Sequence, residues 1–101
     1  MTHVVITAWW PYSKTEEVSA KWNETSSRAT EVSKSFKMYF KNVKEGVRAM
    51  GFFEIEQGKL EESMEALTTL VSEFTDIEGY TFEVDTQTSL EEVQAAQAAQ
   101  G

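Results

Sequence analysis

The chain has 101 residues, 41% hydrophobic and 12% aromatic, which suits one domain with a real core and is too apolar for a disordered segment. Against 9 Lys plus Arg stand 17 Asp plus Glu, a formal net charge of −8, which disfavours nucleic acid and anionic membranes as partners and reads as acidity for solubility. Cysteine is absent and His3 is the single histidine, so disulfides, thiolate nucleophiles and Cys-based metal sites are excluded, and a Ser-His-Asp set or multi-His metal site would rest on one residue.

The elements follow in chain order. Residues 3–10, HVVITAWW, are β-branched and aromatic and predict a strand. Alternation puts Val4, Ile6, Ala8 and Trp10 on one face and Val5, Thr7 and Trp9 on the other. Both faces are apolar, and the adjacent tryptophans cannot share a core. Pro11 stops the strand. Ser13 and Glu16 have capping-box spacing and predict a helix from about Lys14 to Ser27, with a thin stripe of Val18 and Trp22. The polar stretch after it reads as frayed helix or loop.

Residues 36–43, FKMYFKNV, alternate: Phe36, Met38 and Phe40 against Lys37, Tyr39 and Lys41. A turn at residues 44–46 leads to a strand over 47–56, with Val47, Ala49, Gly51, Phe53 and Ile55 on one face and Arg48, Met50, Phe52, Glu54 and Glu56 on the other. The two strands form an antiparallel hairpin. Gly58–Phe74 is the strongest helix, with Leu60, Met64, Leu67, Val71 and Phe74 in one stripe and Glu61 and Glu62 in the first turn, where the helix dipole favours them. Residues 80–86 alternate as a short strand, Tyr80, Phe82 and Val84 facing in. We place the domain at residues 1–88 and read 89–101, which open on a second capping-box spacing at Ser89 and Glu92, as an Ala/Gln-rich tail, helical only when docked.

The order β-α-β-β-α-β is that of a split β-α-β, ferredoxin-like α+β fold: a four-stranded antiparallel sheet with two helices on one face. The second face of that sheet is also apolar, and an exposed apolar patch is normally an interaction site. A second copy meeting it sheet to sheet, or the C-terminal segment folding back, would cover it. The element order, the two-faced strands and the segment EIEQGKLEESMEALTTLVSEFTDIEGY resemble the dimeric α/β barrels over roughly residues 2–88. The resemblance implies a homodimer. It also implies a function from a broad set: cofactor-free monooxygenases, isomerases, haem-binding enzymes and ligand-sensing domains. Haem-degrading members use an Asn, a Trp and a His in the cleft. His3 has no matching placement, so no catalytic residue carries over.

Candidate chemistry is sparse. Glu54 and His3 are the two candidate catalytic groups, a carboxylate beside apolar neighbours and a side chain that titrates near neutrality. Glu54 with Glu56, and Glu83 with Asp85, are carboxylate pairs at i, i+2, with no EF-hand spacing to make a metal site of them. Trp9, Trp10, Tyr12, Met50 and Phe52 are the candidate ligand-binding residues, and Trp22, Tyr39 and Tyr80 add to the same aromatic set. GKLEES lacks the glycines of a phosphate loop and VKEGVRAMG has no dinucleotide spacing, so no cofactor and no metal are expected. Without a basic leader or a stretch of about 18 apolar residues, the sequence reads as cytoplasmic. These readings converge on a homodimer that binds a small apolar or aromatic molecule between sheet and helices. A cofactor-independent monooxygenase or isomerase is the first alternative, and a structural or partner-binding protein the second.

Overall fold

A computed structural model describes residues 2–88. The expected tail and its capping box lie outside the described residues. The strands are β1 (Thr2–Trp10), β2 (Ser35–Val43), β3 (Gly46–Ile55) and β4 (Thr81–Thr88); the helices are α1 (Thr15–Val32) and α2 (Leu60–Ser72). The sheet order is β2-β3-β1-β4, with all neighbours antiparallel. No helix among the described residues is long and apolar enough to cross a membrane.

Register keeps the alternation of each strand in phase with the next. Val4 lies between Phe53 and Thr86, Ile6 between Gly51 and Val84, and Ala8 between Ala49 and Phe82. Phe36 and Met38 extend the same rows across β2. This face meets both helices: Val4 and Leu67 are fully buried, and Phe53, Leu70, Val71 and Phe74 nearly so. A one-residue slip of any strand would turn its apolar set outward, so the covered face fixes the register.

The N-terminus of α1 differs from the capping-box expectation. The chain makes a 3₁₀ turn over Tyr12–Lys14, closed by the Lys14 amide donating to the Pro11 carbonyl at 2.9 Å, and α1 starts at Thr15 with no side-chain cap. The helix also runs five residues past Ser27, to Val32. Its stripe continues through small side chains: Thr25 and Ala29 are buried, and Ser33 donates to the Ala29 carbonyl at 2.6 Å. α2 ends at Ser72 and passes into a 3₁₀ turn, Glu73–Asp76, that carries Phe74 into the core.

Two polar links tie the helices to their surroundings. Ser63, buried on α2, donates to the Val32 carbonyl at the end of α1 at 2.7 Å. The Arg28 guanidinium lies 2.6 Å from Glu73 Oε2, out of alignment for a hydrogen bond. Gly46 opens β3 where the backbone passes close to β1; a Cβ there would collide with the Trp10 carbonyl oxygen.

Candidate functional site

The adjacent tryptophans part company. Trp10 points into the helix-covered side and is buried; its indole Nε1 donates to Thr15 Oγ1 at 3.2 Å. Its ring stacks on Tyr80, with centroids 6.0 Å apart and planes 9° from parallel, and Tyr80 in turn stacks on Phe74 at 5.3 Å. Trp9 points to the opposite side and is half-buried.

The aromatic stack forms one wall of an apolar cavity of about 70 Å³ between sheet and helices. Ile6, Ala8, Ala49 and Gly51 make its floor, Val18 and Trp22 of α1 and Leu70 and Val71 of α2 its roof. Trp22 meets Phe36 edge-on at 5.8 Å, and Phe36 meets Phe53 at 5.3 Å. Met38 and Phe40 line the side toward β2, and Phe40, 64% exposed, stands at the rim. The floor is low because Gly51 lacks a side chain: a Cβ there would come within 2.7 Å of the Phe53 ring and 3.0 Å of the Met38 sulfur.

Among the described residues Tyr80 is the single titratable one in the lining. Burial pushes its phenol above its ordinary value of 10, because desolvation penalises the phenolate. A phenol held protonated can donate a hydrogen bond to a ligand carbonyl or hydroxyl but is no base at neutral pH. The lining therefore presents an apolar surface with one phenolic hydrogen-bond donor.

The five residues proposed as ligand-binding do not meet in one place. Trp10 alone lines this cavity. Met50 and Phe52 share the opposite face of the sheet with Trp9, and Tyr12 is exposed, its hydroxyl donating to the Val43 carbonyl at 2.9 Å. Trp9 and Trp10 both line a mixed polar and apolar hollow of about 290 Å³ at the sheet's end, with Pro11, Glu45 and Gly79.

The candidate catalytic groups are also on the opposite face. His3 and Glu54 are direct cross-strand partners, and Glu54 accepts a hydrogen bond from Ser35 Oγ at 2.9 Å. Neither lines the cavity. Glu56 is exposed past the end of β3, and Glu83 and Asp85 are exposed on β4. Among the described residues no group of three His, Asp or Glu side chains could hold a metal ion. A roomier groove of about 470 Å³ between the helices is lined by Arg28, Glu31, Glu62 and Glu65, a solvated acidic surface.

Sequence patterning names Trp10, Trp22 and Tyr80 as an aromatic set and Phe74 as a stripe residue, but it flags neither Leu70, nor the void above Gly51, nor the stacking of Tyr80 between Trp10 and Phe74. Tyr80 precedes β4 instead of lying in it, and turns inward at the end of the loop closed by the Tyr80 amide bonding to the Ile77 carbonyl at 3.1 Å.

No family model matches the chain, and no curated protein matches it. Among solved structures it is similar to the de novo designed protein Foldit4, at 16% identity and a TM-score of 0.57, covering 88% of this chain and 99% of that one. At that identity the likeness is one of fold alone.

Proposed function

We propose that the chain is a homodimeric binding protein of the dimeric α/β barrel type, whose cavity between sheet and helices takes a small apolar or aromatic molecule. The observation that supports this reading is the apolar cavity itself, walled by the Phe74–Tyr80–Trp10 stack and open past Phe40. At about 70 Å³ it is roughly half the 150 Å³ of a cavity that accepts benzene. A single ring therefore enters only as Phe40 and Met38 swing aside. Phe40 is exposed enough to do so, and Met38 has the rotatable bonds. Larger, multi-ring ligands need the roughly 300 Å³ or more of an ordinary ligand pocket.

Amide chemical-shift mapping with benzene and with phenol tests the reading. Shifts should concentrate on Trp22, Phe40, Phe74 and Tyr80, with phenol binding more tightly if Tyr80 donates to its oxygen. Ala49→Val, which adds two methyl groups to the floor, should weaken both by about tenfold or more. Shifts spread over the surface, or unchanged in Ala49→Val, would remove the cavity as the site. An enzymatic reading would require proton transfer from a group other than Glu54 or His3, since both lie across the sheet.

A further inference from the structure

The face of the sheet turned away from the helices is ordered by charge. Its β2 side carries Lys37 and Lys41, with Arg48 next to them on β3; its β4 side carries Glu83 and Asp85. Between them lies an apolar centre of Val5, Trp9, Met50 and Phe52, bordered by Tyr39, 57% exposed and in edge-on contact with Phe52 at 5.7 Å. The Arg48 Nε is buried with no hydrogen-bond acceptor. A basic side, an apolar centre and an acidic side make a surface that can complement itself.

We propose that a second copy of this chain covers this face with the two-fold axis running along the strands, so that β2 of one copy lies over β4 of the other. This rests on the homodimer reading above and adds its orientation. Rotation about an axis between β3 and β1 exchanges β2 with β4 and β3 with β1 while keeping every cross-strand row level. Lys37 and Asp85 belong to one row, Arg48 and Trp9 to another, Glu54 and His3 to a third. Each row therefore meets its own reverse: lysine over aspartate, guanidinium over indole, carboxylate over imidazole. A guanidinium over an indole face is a favourable cation–π arrangement. The other face-to-face two-fold, across the strands, lays β2 on β2 and β4 on β4 with the rows reversed, which gathers the lysines of both copies on one side and their Glu83 and Asp85 on the other, an arrangement that like-charge repulsion opposes.

Packed sheets cross at about 30°, which moves an edge strand by only about 4 Å at a strand spacing of about 4.8 Å, within the reach of a lysine. Four strands of about eight residues present roughly 500 Å² of flat face, so two copies bury on the order of 1,000 Å², the lower bound for a specific interface.

Cysteine is absent, so an introduced thiol is unambiguous. Lys37→Cys and Asp85→Cys chains, both changed at exposed positions, are mixed and treated with a bis-maleimide reaching about 10 Å, the spacing of packed sheets. The mixture should give a cross-linked dimer, and neither chain alone should. As a second measurement, Lys37→Glu with Lys41→Glu should weaken dimerisation at low salt at least tenfold. Adding Glu83→Lys and Asp85→Lys to the same chain should restore it to within about threefold. If Lys37→Cys alone cross-links efficiently, the homodimer stands and the orientation is overturned. A full-length chain that sediments as a monomer at all concentrations overturns both, whereas the cavity reading is tested separately by the benzene and phenol shifts.

Discussion

One sheet presents two faces that solve different problems. The covered face is continuous: Val4, Ile6 and Ala8 interlock with Ala49, Phe53 and Ile55, and both helices close over them. The far face has an apolar centre on β1 and β3, charges on its β2 and β4 sides and, among the described residues, no helix above it. Both faces come from the same alternation, so neither can be changed by shifting register without changing the other. The lesson is that apolar content alone does not mark a core. What separates the two faces is the charge at their margins, which the covered face lacks and the far face keeps.

The adjacent tryptophans give the sharpest way to break this comparison. Trp10→Ala should cost about 3–5 kcal/mol in urea unfolding, because it removes a buried ring and its stacking partner for Tyr80. Trp9→Ala, measured on dilute protein, should cost less than half of that while weakening self-association. Equal costs would mean that both faces are packed alike within one chain. A smaller effect concerns how the covered face stays covered. Ser63→Ala leaves the Val32 carbonyl without its donor at the junction of the two helices and should cost about 1–3 kcal/mol, read as a lower urea midpoint with unchanged slope.

The smallest effect at neutral pH, and a growing one above it, comes from Tyr80. Its folded value is raised above its unfolded value near 10, so its contribution is fully present below pH 10. Above that, the unfolded chain releases the proton and the folded chain keeps it. Stability should then fall by roughly 1.4 kcal/mol per pH unit until the folded value is reached. Tyr80→Phe should flatten that alkaline limb; an unchanged limb would show that the phenol ionises as readily folded as unfolded.

Much of the fold can be read from residue order because strand alternation is a local signal. The faces of all four strands and the stripe of α2 follow from it. The extent of α1 does not, since Thr25 and Ala29 bury little apolar surface and look like polar filler, although Val18, Trp22, Thr25, Ala29 and Val32 keep helical spacing. The expected Ser13 cap fails for a different reason: Ser13 lies inside the Tyr12–Lys14 3₁₀ turn instead of in the extended backbone position that an N-cap takes, and α1 starts two residues later at Thr15. The candidate site is harder still. Trp10 is legible as an inward aromatic, but a void arises where facing volumes fail to match, here above Gly51, and no one-dimensional pattern records that. Arg28 beside Glu73 joins residues 45 positions apart and is equally silent in the sequence.

The pairing of Thr2 with Thr88 brings the start of β1 beside the end of β4. Antiparallel partners lie about 4.5–5.5 Å apart at Cα, a gap that a linker of a few residues closes. A circular permutant joined there and reopened in the Lys44–Glu45 turn would keep every strand neighbour while making the β4–β1 contact local in sequence and the β2–β3 contact the most remote. The architecture would survive with its order of assembly inverted, since loop closure favours whichever hairpin is short.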